Sequence, residues 1–382
     1  MLTHAVKTAF LDSCTRLTWG QLTLETPEGE SHHFGQSGLH ASLRIDDWSM
    51  VSRTAARGDI GFGEAYVAGQ WDTDNLENLL IVALRNMEVL TKYTYPGFWN
   101  RLKFLAVNRI LRANSRKGAS RNIRAHYDVG NEFYQLWLDE SMTYSSALFE
   151  SDQADLKQAQ FAKYDRILNR MSDAPILEVG CGWGGFAERA ADDGRHVKGI
   201  TISPSQKGYA DARLDGRADI DLCDYREVSG TYQNIVSIEM IEAVGARYWP
   251  TYFNMLKSRM AEGGRSLLQI ITVPDSYWPT YIRNSDYIRH YTFPGGMLMC
   301  NSEIAKQSEN AGLTVADSFE FGSSYARTCR NWADTIKRRR TKIHELGYND
   351  AFVRNWLYYL EGCAAAFTTG QAGVVQVELQ HA

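Results

Sequence analysis

The sequence predicts a doubly wound α/β sheet of Rossmann-like type preceded by a smaller α+β unit, on three observations. From about residue 174 apolar runs alternate with helical stretches, the pattern of βαβ units and a largely parallel sheet. A glycine-rich turn follows the first of these runs, where such a sheet opens its ligand crevice. The first hundred residues instead mix short strand-like pieces with helical ones. At 382 residues, the chain has room for one large core and an appended unit.

The expected strands are PILEVG, HVKGITIS, ADIDLCD, NIVSIEM and SLLQIITV, in that order. Helices are read between the first and second, the second and third, and the fourth and fifth. In the N-terminal unit, LTWGQLTLETPEG carries a turn at Pro27-Glu28-Gly29 and LENLLIVALRNMEVL reads as a helix. Between them GDIGFGEAYVAGQWD, punctuated by glycines, reads as a packed turn. The expected organisation is residues 1–100 as the N-terminal domain, 101–124 as a basic linker or helix, and 125–382 as the catalytic domain.

Lys plus Arg number 41 against 45 Asp plus Glu, so the net charge points away from nucleic acid and any basic surface must be local. One local run is residues 101–124, with eight basic residues and no acidic one. It reads equally as an amphipathic helix on anionic lipid or as a solvated linker helix. A second is Lys337, Arg338, Arg339, Arg340 and Lys342. No apolar run reaches the ~18 residues needed to span a bilayer, so contact with lipid would be peripheral. The six cysteines stand apart, without metal-site pairs or the density of a disulfide scaffold, and read as reduced and cytoplasmic.

The turn Gly180-Cys181-Gly182-Trp183-Gly184-Gly185 also satisfies a dinucleotide fingerprint, which alone is weak. A dinucleotide site wants an acid at the end of the second strand, and that strand ends Gly199-Ile200-Thr201-Ile202-Ser203 without one. Glu178 before the glycines instead matches the nucleoside loop of class I methyltransferases, favouring S-adenosyl-L-methionine over NAD.

Several further segments together resemble the cyclopropane fatty acid synthase family. They are AHYDVGNEFYQLWLDESMTYSSALFE (125–150), VGCGWGGF, GITISPSQ, VSIEMIEAVG and FPGG, in the family's order. GFGEAYVAGQWD resembles the members that carry an extra lipid-binding domain. The resemblance implies transfer of a one-carbon unit from S-adenosylmethionine to the double bond of an unsaturated acyl chain of a membrane phospholipid. It implies that Tyr144, Ser145, Gly180, Cys181, Gly182, Trp183, Gly184, Thr201, Ser203, Gln206, Asp224 and Tyr225 surround the cofactor.

The family also holds a bicarbonate ion, and the resemblance assigns that site here to Glu242, Tyr325 and Cys363, with two departures. Ser146 stands where the family has its first Cys, and Gln269 where it has its His. Both still offer hydrogen bonds, but an imidazole that titrates near neutrality is gone. The expected catalytic set is therefore Cys363, Glu242, Tyr325, Ser146 and Gln269. Removal of a proton from the methylated cation closes a cyclopropane or leaves a methyl- or methylene-branched chain, and the base decides which. The expected setting is the inner face of the membrane, with a homodimer suited to work along it. A small-molecule methyltransferase and a non-catalytic lipid-binding protein are the rival readings.

Overall fold

A computed structural model describes residues 2–90 and 129–382; the basic segment 101–124 and the first residues of 125–150 lie outside it. The described chain divides into two compact units. One combines the described residues up to 90 with 279–294 and 329–371; the other contains 129–278, 295–328 and 372–382. These units cut the chain differently from the contiguous split expected.

In the first unit, β1 (Gln21–Glu25) turns through Gly29 into β2 (Ser31–Gly35), and β3 (His40–Ile45) runs parallel to β1 on its other side. β4 (Trp71–Asp72) closes the order β2-β1-β3-β4. Alternation places Leu22, Leu24, Leu43 and Ile45 inward. They share one apolar core with Leu79 and Val82 of the helix Leu76–Arg85 and with Tyr287, Tyr358 and Ala365. Polar bonds reinforce the same join: Arg354 donates to the carbonyls of Tyr66 (2.7 Å) and Trp71 (2.9 Å). Arg330 forks onto Glu77 at 2.6 to 2.9 Å. An amphipathic N-terminal sheet needs a cover, and later segments of the chain supply it.

GDIGFGEAYVAGQWD contains a helix, Asp59–Val67, rather than only a turn. Its glycines serve close packing. A Cβ on Gly61 would lie 2.3 Å from the Arg53 carbonyl oxygen, and one on Gly63 would lie 2.4 Å from the Tyr287 ring and 2.7 Å from that of Tyr358. Packing has overridden glycine's poor helix propensity.

The second unit holds a seven-stranded sheet in the order β10-β11-β9-β8-β5-β6-β7. β5 (Ile176–Val179), β6 (Val197–Thr201), β7 (Asp219–Leu222), β8 (Tyr232–Ile238) and β9 (Met260–Thr272) are the five expected strands, mutually parallel. The expected helices are Gly185–Asp192, Pro204–Leu214 and Trp249–Arg259. Two strands beyond the five complete the sheet: β11 (Gly373–His381) pairs antiparallel with β9 and with the edge strand β10 (Leu313–Glu320). The chain winds outward from β5 through β6 to β7, then returns to β8. The crevice between β5 and β8 is therefore the topological switch point, where open α/β sheets bind ligands.

Gly63→Ala should lower the unfolding free energy by about 1–3 kcal/mol, the cost of overpacking, as read by urea denaturation. Unchanged stability would mean that the two tyrosines yield freely.

Candidate active site

Chain geometry at the end of β5 creates a cradle. Gly180, Gly182 and Gly184 have φ of +87°, +52° and +84°, a region that strains other residues. Gly180 must also be small, since a Cβ would lie 2.8 Å from Met240, the second residue after β8. Its two chain neighbours apart, no atom of the described residues lies within 4 Å of where a Cβ of Gly182 would stand, so a ligand can approach its backbone. Gly184 caps the helix Gly185–Asp192, whose N-terminus carries partial positive charge. Beneath the turn Glu178 is buried, one carboxylate oxygen lacks a partner, and burial pushes its pKa up to about 8.

The other nucleoside-site candidates ring this turn within the same unit. Trp183 is buried, donates to Asn131 Oδ1 at 2.8 Å and packs on Tyr134, which in turn packs on Tyr144. At the end of β6, Thr201 donates to Gln206 Oε1 (2.9 Å), and Ser203 caps the helix Pro204–Leu214. After β7, Asp224 accepts from Arg226 Nε at 2.8 Å and Nη2 at 2.5 Å, which fixes its carboxylate. Tyr225 is half-buried and its hydroxyl has no partner. Cys181 is buried beside Gly199. The strand ends present backbone, hydroxyl and carboxylate groups around one open glycine turn, as a nucleoside requires.

On the β8 side of the crevice lies a half-buried carboxylate that the sequence reading missed. Glu239, immediately after β8, accepts from the backbone N–H of Ser146 (2.8 Å), from Gln269 Nε2 (2.7 Å) and from the Tyr325 hydroxyl (2.5 Å). Its own N–H donates to the Gln269 carbonyl at 2.8 Å. Gln269 on β9 is oriented from behind, because Gln376 Nε2 on β11 donates to its Oε1 at 3.0 Å, and Arg166 donates to Gln376 Oε1 at 2.8 Å. Lys163, fully buried on the helix Leu156–Leu168, donates to Ser145 Oγ at 2.5 Å. Burial lowers its pKa to about 7 while the charge of Glu239 opposes that fall.

Three expected catalytic residues, Ser146, Gln269 and Tyr325, thus meet at one carboxylate. Glu242 stands one turn further on: its Oε1 accepts from the Ile271 N–H at 2.6 Å, and its Oε2 is buried without a partner among the described residues. Cys363 lies half-buried on the helix Asp350–Thr369 of the first unit. The Ser146 hydroxyl donates to the Ala147 carbonyl at 2.9 Å, so this residue serves Glu239 through its backbone. The donors expected to hold a bicarbonate ion are engaged by a side chain, and the site as folded does not fit a separate anion at them.

Protonation follows from these partners. Burial first, and then the charge of Glu239, push the Glu242 pKa up to about 8. Burial also raises that of Glu239, opposed by Lys163 and by its three donors. From about pH 5 to pH 7 an unfolded Glu242 ionises while the folded one keeps its proton, so the folded state binds more protons and loses stability as pH rises. Lys163, whose folded pKa is about 7, starts to lose its proton only near the top of that window, where it opposes the fall. Unfolding midpoints should fall from pH 5 to pH 7, with at most about 1.4 kcal/mol per pH unit from Glu242. Glu242→Gln should flatten the fall; an identical slope would place Glu242 in contact with water.

Comparison with known proteins agrees with this geometry. Residues 114–377 match the mycolic acid cyclopropane synthetase family. The tuberculostearic acid methyltransferase UfaA1 of Mycobacterium tuberculosis is 36% identical over 344 residues, covering 86% of this chain and 80% of its own. The cyclopropane-fatty-acyl-phospholipid synthase of Escherichia coli is 31% identical, covering 88% and 87%. Among solved structures, the mycolic acid cyclopropane synthase CmaA1 complexed with SAH and CTAB superposes with a TM-score of 0.64 at 26% identity, over 68% of this chain and 98% of that one. Coclaurine N-methyltransferase shares the fold alone, at TM-score 0.63 and 17% identity over 83% of this chain and 97% of its own. With its glycine turn, its switch-point crevice and a family match over most of its length, the chain belongs to the mycolic acid cyclopropane synthetase family of S-adenosylmethionine-dependent methyltransferases.

Proposed function

We propose that the protein transfers a one-carbon unit from S-adenosylmethionine to the double bond of an unsaturated acyl chain of a membrane phospholipid, giving a cyclopropane or a methyl- or methylene-branched chain. The observation that carries this reading is the juxtaposition, across the β5–β8 crevice, of an open glycine turn with a carboxylate cluster. The relatives' names, a tuberculostearic acid methyltransferase and a cyclopropane-fatty-acyl-phospholipid synthase, support an acyl substrate.

When bound, the cofactor supplies an electrophilic methyl. The backbone at Gly180, Gly182 and Gly184, with Tyr144, Ser145, Cys181, Trp183, Thr201, Ser203, Gln206, Asp224 and Tyr225, would hold it. An alkene is a weak nucleophile, so the chain's main task is to hold the π-bond within roughly 3–3.5 Å of the methyl. The packed rings of Tyr134, Trp137, Tyr144 and Trp183 back the cofactor side, and the apolar chain itself would help exclude water from the cation that follows. Ser146, Gln269, Tyr325 and Glu242 would line the acid-base side, and Cys363 belongs to the catalytic set on the resemblance alone.

The protein would act as a peripheral enzyme at the inner face of the membrane. No described helix is long and apolar enough to cross a bilayer. In the second basic cluster, Lys337 is paired with Glu361 at 2.6 Å and Arg340 with Asp350 at 2.7 Å. Arg338, Arg339 and Lys342 remain exposed without an ion pair among the described residues. Each basic group near an anionic surface contributes about 1 kcal/mol.

Incubation with S-adenosylmethionine and vesicles of unsaturated phospholipid should add one CH₂ to the acyl chains, read by mass. Resistance of the product to mild hydrogenation identifies a cyclopropane and uptake a branched alkene. No gain on any lipid, together with methylation of a soluble amine, would replace the acyl reading. Vesicle sedimentation should require anionic lipid, weaken as salt rises, and weaken again when Arg338, Arg339 and Lys342 are replaced by Glu. Salt-insensitive binding would remove the electrostatic anchor.

A further inference from the structure

The donors around Glu239 converge on a carboxylate that belongs to the chain. The Ser146 N–H, the Gln269 amide and the Tyr325 hydroxyl stand at 2.5 to 2.8 Å from its two oxygens. They come from three positions that the resemblance assigns to a dissolved anion. The backbone is bent to deliver this side chain: Glu239 has φ +50°, a conformation uncommon outside glycine that costs on the order of 1 kcal/mol or more. Strain at a half-buried charged residue, with donors from three separate segments turned onto its two oxygens, points to a built feature.

We propose that Glu239 replaces bicarbonate in this enzyme: its carboxylate accepts the proton released by the methylated acyl cation, and turnover needs no dissolved anion. The proposal rests on the acyl reading above. In the step, the alkene π pair forms the new C–C bond as the S–CH₃ bond breaks, leaving S-adenosylhomocysteine and a carbocation. A C–H pair of that cation then closes the ring or forms a double bond, and its proton goes to a Glu239 oxygen and later to water. The acidity of a C–H beside a carbocation is extreme, so an oriented acceptor suffices and a strong base is unnecessary. The same fixed negative charge stabilises the cation as it develops. Glu242 is less suited, because it has one backbone donor and an unpartnered oxygen. The charged groups facing Glu239 are Lys163 and Glu242.

The test is chemical rescue of Glu239→Gly, a substitution that the positive φ accommodates and that opens an anion-sized space among the same donors. In buffer stripped of carbonate the wild-type enzyme should methylate acyl chains at the rate it shows with added bicarbonate. Titration calorimetry should detect no bicarbonate binding to it. Glu239→Gly should bind S-adenosylhomocysteine normally, lose about a hundredfold or more in turnover, and recover part of it with formate or bicarbonate, which it should now bind. A wild-type rate that falls when carbonate is removed and returns when it is restored would overturn the proposal. So would a Glu239→Gly enzyme fully active without added anion, or one whose lost activity no small carboxylate restores while cofactor binding is intact. A wild-type protein that adds no carbon to any acyl chain, with or without bicarbonate, would remove the proposal together with the acyl reading it rests on.

Discussion

A half-buried carboxylate on a strained backbone is held by the donors on each of its oxygens, and around Glu239 those bonds fix the meeting of four segments. The Ser146 loop, β9 through Gln269, the start of the helix Gly322–Arg338 through Tyr325, and the turn after β8 all converge on two oxygen atoms. Each lost donor would leave a half-buried charge short of a bond, at about 1–3 kcal/mol. The neighbouring contacts lock the same segments. The Ala147 N–H donates to Thr328 Oγ1 at 3.1 Å and the Phe149 N–H to Ser324 Oγ at 3.1 Å. The loop over the crevice is thereby stitched to one helix at successive positions, and its Tyr144 and Ser145 end is carried to the nucleoside side. One half-buried charge therefore organises both halves of the site.

The two halves need different environments, and the sheet provides both. At β5 the backbone does the work: glycines with positive φ keep side chains out of the way. At β8, the strand paired directly with β5 through Glu178 opposite Val236, side chains do it. The switch point lets these surfaces face a common crevice although they are sixty residues apart in sequence. A sulfonium methyl and a proton acceptor can then act on the same carbon framework in succession.

Much of this was legible in the sequence. The five parallel strands announce themselves as apolar runs flanked by turn residues, and the glycine turn follows from its place after the first. The last two strands were harder, because β10 is an edge strand with most side chains exposed and offers little apolar signal. The helix Asp59–Val67 was hidden by its glycines, whose reason is packing against rings far along the chain. The resemblance placed Ser146, Gln269 and Tyr325 together, but it could not supply Glu239, which answers to no expected role. The spacing of two glutamates in Ser-Ile-Glu-Met-Ile-Glu was its sole trace. Lys163 did leave a readable sign: Ala159, Gln160, Lys163, Tyr164, Ile167 and Leu168 form the buried stripe of their helix, and a lysine on such a stripe has to meet a partner inside.

The departures at Ser146 and Gln269 become intelligible once Glu239 is present. At residue 146 the useful group is the backbone N–H, which is indifferent to whether the side chain is a thiol or a hydroxyl. At residue 269 the geometry asks for more than an imidazole offers. The Gln269 amide donates to Glu239 at 2.7 Å and approaches the Ser146 carbonyl at 3.3 Å through the same nitrogen, while its oxygen accepts from Gln376. An NH₂ group has two hydrogens for those two acceptors, whereas one imidazole nitrogen has one. A histidine beside this carboxylate would also be drawn toward its charged form and would compete with Lys163 for the same counter-charge. A neutral amide keeps the donor count and leaves the single proton-accepting function to the carboxylate it holds.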